Sequence, residues 1–346
     1  GKNEIMGAPS RRRLLKIGGA ALLTTPFVSR AWASTTDINM LAWYGHAEPD
    51  VVAEYAAANN VRFVPKYYAG GDNMLALIAQ SPPGTYDIIL SDAEFVQQLN
   101  LAGYIEPLEA SDYPLDDMLH EDFKKFPGHW ADGKLYSMMV RGGHLGVSYN
   151  KNSITEEEAQ SYSCFWKPEL EGKVGHFDWH LPNLGMMSLY NGNGGSLWDL
   201  DDAKWDAVRD TTLSLRKQAG GFFDYGGSFN GLKNGEMQAM CGIGDWITAP
   251  LEKDGAPVAS TIPKEGGIQF TESYSIGKDS PKADLAKNFI QYMLSPQGQV
   301  KSAQMAAYPG FCVTKGGRAA LIKADPAEAK RSHQMSGMAN DPIALI

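Results

Sequence analysis

From residue 37 onward, short apolar runs alternate with stretches of helical period. Residues 38–43 (Ile-Asn-Met-Leu-Ala-Trp) predict a strand, residues 50–59 an amphipathic helix, and residues 61–68 a second strand. A helical period returns over 72–80, and Tyr86-Asp87-Ile88-Ile89-Leu90 reads as a short buried strand. This β-α-β-α-β succession predicts a parallel sheet with helices on both faces. Ligands of such sheets lie beyond the carboxyl ends of the strands. That nominates Trp43 to His46 after the first strand and Ser91 to Glu94 after the third. Both stretches also precede helices, so Asp92 reads equally as a helix cap or as a ligand contact.

A second unit opens at 145–150. It predicts a strand near 173–177, helices near 185–190 and 203–218, a turn-rich stretch over 220–235, and a strand over 238–243 that ends at Gly244-Asp245-Trp246. After an apolar run at 258–262 come the turn Pro263-Lys264-Glu265-Gly266-Gly267, a strand over 268–276, and a helix over 283–294 that Ser295-Pro296 stops. The last twenty residues carry no pattern that places them. The length suits two domains, each large enough for its own core.

The residues before Ser34 follow a different rule. Ser10-Arg11-Arg12-Arg13-Leu14-Leu15-Lys16 precedes an apolar run over 17–28 and then Ala31-Trp32-Ala33, a small-x-small cleavage pattern. This matches the twin-arginine export pattern, which is an address and not an anchor. The apolar run is shorter than the roughly 20 residues a spanning helix needs, and Pro26 interrupts it. A periplasmic mature chain starting near Ser34 is expected, with Met6 as the initiator.

Losing residues 1–33 removes six bases and one acid, so the formal charge moves from −9 to −14, with 25 bases against 39 acids. An acidic surface repels phosphate backbones and anionic lipid and attracts cations, so nucleic acid and membrane surfaces are not expected as partners. Three cysteines, Cys164, Cys241 and Cys312, are too few for a disulfide scaffold and read as small core residues. His176-x-Asp178-x-His180 sets three metal-ligand types on one face of an extended segment, but a fourth ligand is lacking and a surface turn is the preferred reading. Gly192-Asn193-Gly194-Gly195-Ser196 lacks the Gly-Lys-Ser/Thr ending of a phosphate loop. No nucleophile elbow or His-Glu-x-x-His segment is present, so no enzyme activity and no cofactor are expected.

Four stretches carry a family resemblance: Trp43 after the first strand, Tyr86-Asp87-Ile88-Ile89, Trp166-Lys167-Pro168-Glu169-Leu170-Glu171-Gly172, and Pro263-Lys264-Glu265-Gly266-Gly267-Ile268. In order and spacing the chain resembles the extracellular solute-binding proteins of ABC importers, most specifically the spermidine/putrescine-binding branch. The resemblance implies an α/β fold of the two-lobe periplasmic binding protein type (type II), each lobe a sheet flanked by helices, with crossing hinge strands between them. The expected division is 36–144 with 271–309 for lobe I, and 145–270 with 310–346 for lobe II. It further implies a monomer that closes on its ligand and presents it to membrane permease subunits.

Carried over residue by residue, the resemblance nominates Trp43, His46 in place of a tyrosine, Asp92 and Glu94 in place of hydroxyl and aromatic residues, Asp178 with Trp179, Asp245 with Trp246, Phe270 with Glu272, and Tyr308 before Pro309. Phe270 and Glu272 are two apart on a strand and so face the same way. An ammonium taken out of water needs a carboxylate and hydrogen bonds in exchange, the role expected first of Asp245 and Glu272. Trp43, Trp246, Phe270 and Tyr308 would add cation–π attraction, against the plain alternative of core packing.

Arg141 stands where the family has an aromatic. Its guanidinium either binds a ligand anion, which would mark an amino acid, betaine or amino-sulfonate, or pairs with Asp92 or another site acid. A polyamine-like ligand is the leading expectation and a zwitterion or quaternary ammonium the second. A cofactor-bearing exported protein is a third reading, as is a ferric-ion binder using Tyr67 and Tyr68.

Overall fold

The computed structural model describes residues 35–334 and 343–345. The export segment and cleavage site expected over 1–33 lie outside them. β1 (Thr36–Ala42), α1 (Pro49–Asn59), β2 (Val61–Tyr67), α2 (Gly71–Ala79) and β3 (Ile88–Asp92) form the β-α-β-α-β run. β1 lies between β2 and β3 and is parallel to both, with Thr36 opposite Val61 and Met40 opposite Ile88. Ile88, Ile89 and Leu90 are all buried because both faces of the sheet are covered, which explains an unbroken apolar run where an open sheet would alternate. β3 begins two residues later than its pattern predicts and so carries Asp92 as its last residue.

After α3 (Val96–Leu101) the chain reaches β4 (Met138–Leu145) and passes straight into β5 (Val147–Asn150), which belongs to a second sheet. That sheet adds β6 (Val174–Phe177), β7 (Ala219–Phe223), β8 (Ala239–Cys241) and β9 (Val258–Thr261), in the spatial order β9-β5-β8-β6-β7. β10 (Gly267–Ile276) then returns to the first sheet, antiparallel to both β3 and β4, with β11 (Ile343–Leu345) at its edge. Two lobes are therefore joined by crossing strands. At the crossing, a Cβ added to Gly146 would lie 2.2 Å from the Thr261 carbonyl oxygen, so the two connecting backbones touch where only glycine fits.

Each lobe buries its own core. Met40, Ile88, Leu90, Tyr274 and Phe289 anchor the first, and Val147, Phe165, Met240 and Ile247 the second. The two stretches most specific to the family resemblance are scaffold. Trp166 stacks on Tyr190 with 4.8 Å between ring centroids, and the Glu265 carboxylate accepts from the Tyr162 backbone and the Ser161 hydroxyl, both at 2.8 Å.

Three expectations about elements are corrected. The stretch read as turn-rich holds β7 and α6 (Tyr225–Lys233); its glycines hide both, but β7 is an edge strand and Asp224 caps α6 by accepting from the Gly227 backbone at 2.7 Å. α4 (His180–Tyr190) starts five residues earlier than predicted, because Pro182 falls in the first turn, whose N–H groups have no helical partner anyway. α5 (Asp202–Ser214) is followed by α7 (Asp245–Lys253), α8 (Ala283–Leu294) and α9 (Pro296–Ala303). α10 (Lys315–Ala324) and α11 (Pro326–Arg331), expected with the second lobe, pack instead behind α9: Leu321 and Ala329 share an apolar cluster with Ala303 and Cys312. Phe311 and Val313 belong to the first lobe's core. Among the described residues no helix is long and apolar enough to cross a membrane.

Candidate functional site

The carboxyl ends of β1 and β3 bring Trp43 and Asp92 together. The Trp43 indole N–H donates to Asp92 Oδ1 at 3.0 Å, and the Trp43 ring leans on Tyr68 at 5.2 Å. The Asp92 carboxylate caps no helix, which settles that alternative. Burial pushes its pKa well above the ordinary aspartate value, the charges of Glu94 and Glu272 push it further, and only the Trp43 N–H opposes them. Burial likewise raises Glu94, to about 7; a backbone N–H opposes the rise and the Glu272 charge adds to it. Neither carboxylate has a lysine or arginine partner among the described residues. Two crowded acids are thus left without a counter-ion of the chain.

Glu272 faces Asp92 across the β3–β10 ladder and Arg141 across the β4–β10 ladder. Arg141 and Glu272 are both 1 % exposed, and Nη1 donates to Oε1 at 2.7 Å. Nε and Nη2 are also engaged: Nε donates to the Ser302 hydroxyl at 3.1 Å, and Nη2 to the carbonyls of Tyr308 at 2.7 Å and Ser302 at 3.3 Å. Gly310 makes the space, since a Cβ there would lie 2.6 Å from Nη2. The guanidinium also lies 4.6 Å from the centre of the Tyr308 ring.

Tyr308 Oη donates to Glu272 Oε2 at 2.9 Å and stands 2.5 Å from His46 Nε2. With its one proton given to Glu272, the Tyr308 oxygen can only accept from His46, which assigns the imidazole as the Nε2–H tautomer. Burial would raise the Glu272 pKa, but His46 and Arg141 outweigh it and hold the carboxyl at about 2. Burial lowers the His46 pKa, the charge and hydrogen bond of Glu272 raise it, and the Arg141 charge lowers it further. Of the two readings of Arg141, the structure selects the internal pair; no forked edge remains for a ligand anion, and the zwitterion expectation built on it is withdrawn.

On the second lobe, Asp245 opens α7, and Arg331 Nη1 donates to its Oδ2 at 2.5 Å. Arg331 also donates to Glu328 at 2.7 Å and to the Gly310 carbonyl at 3.2 Å, while Lys253 lies 3.0 Å from Glu328. Asp245 and Glu272, the two acids expected to hold a ligand ammonium, thus each carry a guanidinium of the chain itself. Asp178 is exposed, its backbone N–H bonded to the Phe223 carbonyl.

The aromatics form a wall. Trp246 stacks near Tyr225 at 6.4 Å and meets the edge of Phe270 at 6.2 Å, with Phe177 and Trp179 behind it. Trp246 is buried, so its core-packing reading holds in this form. Tyr308 packs against both cores, and Tyr225 Oη donates to the Ala307 carbonyl at 2.5 Å, bridging α6 to the loop before Tyr308. Sequence reasoning missed Tyr225, Ser302 and Arg331; only Arg331 left a signal, as the cation of a Glu328-x-x-Arg331 helical pair. The tyrosines of the ferric reading are engaged within the lobe, Tyr67 with Glu48 at 2.9 Å and Tyr68 with the Leu90 carbonyl at 2.6 Å. His176 bonds Asn183 at 3.0 Å, and among the described residues no group of three or more His, Cys, Asp or Glu gathers as a metal site.

The family model of bacterial extracellular solute-binding proteins matches residues 50–330. The chain is 23 % identical over 285 residues to the spermidine/putrescine-binding periplasmic protein 1 of Haemophilus influenzae, covering 81 % of this chain and 77 % of that one. It is 23 % identical over 309 residues to the spermidine/putrescine-binding periplasmic protein of Escherichia coli, covering 86 % and 83 %. In fold it is similar to the spermidine/putrescine substrate-binding protein of Streptococcus pneumoniae, with a TM-score of 0.70 at 15 % identity, covering 86 % and 91 %.

Proposed function

Because this chain belongs to the bacterial extracellular solute-binding proteins, we propose that it is the periplasmic receptor of an ABC importer, capturing a small amine-bearing, polyamine-like solute. The two lobes close on that solute and the closed form is handed to the permease. The carrying observation is the Asp92–Glu94 pair beneath Trp43, placed at the strand ends where such sheets hold ligands and lacking an internal counter-ion. Trp43 supplies the aromatic face, while His46, Arg141, Glu272 and Tyr308 hold the floor rigid. Trp246, Phe270 and Trp179 with Asp178 form the opposing lobe's contribution.

The protein acts as a monomer and does no covalent chemistry. It reaches the periplasm by the twin-arginine route with cleavage near Ala33. The lobes comprise 36–144 with 271–309, and 145–270, with residues 310–334 carried on the first. A thermal-shift screen of putrescine, spermidine, betaines and amino acids tests the ligand class, since a solute that binds only the folded state raises the melting temperature. Stabilisation by amines that Asp92→Asn removes supports the reading; stabilisation by amino acids alone overturns it.

A further inference from the structure

Four of the nominated carboxylates, Asp92, Glu94, Asp245 and Glu272, are buried or half-buried, and they fall into two kinds. Glu272 is held by Arg141 at 2.7 Å and Asp245 by Arg331 at 2.5 Å, with Glu328 and Lys253 completing the second cluster. Asp92 and Glu94 have no such partner among the described residues. The arginines are built into the fold. Arg141 is clamped by Ser302 and Tyr308 in a space that Gly310 leaves open, and Arg331 is tied to the Gly310 carbonyl as well as to the two acids.

We propose that Arg141 and Arg331 are specificity-determining residues: by neutralising Glu272 and Asp245 they leave one ammonium seat, so the cleft reads one charged end of its ligand. Recognition of a second ammonium needs a second uncompensated, desolvated carboxylate. The remaining free acid near the opposing wall, Asp178, is exposed, and a carboxylate in water adds little to an ion pair. The ligand's far end therefore meets the aromatic rings of Tyr225 and Phe270, with Trp246 packed behind them, which favours an apolar or neutral group. This rests on the amine reading above and narrows it.

The test compares two solutes of equal length, putrescine and 4-aminobutan-1-ol, which differ by one ammonium, using calorimetry on the mature chain. The expected result is dissociation constants within threefold of each other, both weakened at least tenfold by Asp92→Asn. Arg331→Met, which frees Asp245, is expected to shift preference toward putrescine by about tenfold. Putrescine binding more than tenfold tighter than the amino alcohol in the parent protein overturns the single-seat proposal. If Asp178→Asn then erases that preference, Asp178 is the second seat, and the amine reading survives. Binding of no amine at all, putrescine and spermidine included, overturns the amine reading itself.

Discussion

Glu272 and Asp92 stand opposite each other in the antiparallel register of β10 and β3, yet only Glu272 has a guanidinium against it. The same sheet thus presents one carboxylate locked into an internal ion pair and one without a guanidinium partner.

Asp92→Asn and Glu94→Gln should each weaken binding of the best amine. A hydrogen bond to a charged group contributes about 1.5–3 kcal/mol, or roughly 10- to 100-fold in affinity. Calorimetry checks this, and unchanged affinity in both variants would show that the cation sits elsewhere. Their folded stability should be unchanged or raised, because the substitutions relieve the repulsion between the two acids.

Amine binding near neutral pH should release protons. Glu94 titrates near 7 in the empty protein, and an ammonium placed beside it favours the carboxylate and lowers that value. Affinity therefore rises between pH 5.5 and 7.5. Calorimetry in buffers of different ionisation heat measures the release directly, and a heat independent of buffer contradicts it.

The same group fixes the sign of one pH effect on stability. A carboxyl whose folded pKa is raised from 4.5 to about 7 keeps its proton when folded and loses it when unfolded, so stability falls as pH rises from 4.5 to 7. The loss is on the order of 1–3 kcal/mol, and Glu94→Gln should remove the Glu94 share of it, leaving the loss that the likewise raised Asp92 contributes. Glu272 acts oppositely: its pKa is depressed from 4.5 to about 2, so its stabilisation is complete above 4.5 and fades as pH falls through 2. Urea midpoints measured across this range separate the two groups.

Arg141→Met should destabilise the fold by about 3–5 kcal/mol, since it strands Glu272 as a buried charge. Adding Glu272→Gln should restore part of the loss. A double-mutant cycle in urea measures the coupling, and additive losses would show that the two side chains do not depend on each other.

Gly146→Ala places a Cβ against the Thr261 carbonyl at the crossing of the lobes, where backbone meets backbone and neither side chain can yield. A stability loss of about 1–3 kcal/mol is expected, comparable to overpacking a core. An unchanged melting temperature would show that the crossing strands separate freely.

What the sequence by itself determined is local. Alternation and helical period predicted the β-α-β-α-β run, the second sheet and the strand returning after Gly267, because burial of apolar side chains imposes those periods along the chain. Glycine-rich stretches such as β7 and α6 escaped, since their few side chains carry little periodicity and their placement depends on an edge position and a single Asp224 cap. The strand ends also nominated Trp43, Asp92 and Glu94 as candidate ligand contacts. Which acids were free, only the tertiary structure decided. Arg141 lies 131 residues from Glu272, and Arg331 lies 86 from Asp245. No local pattern encodes such pairs; they exist because the folded backbone brings distant charges together away from water, where each must find its opposite.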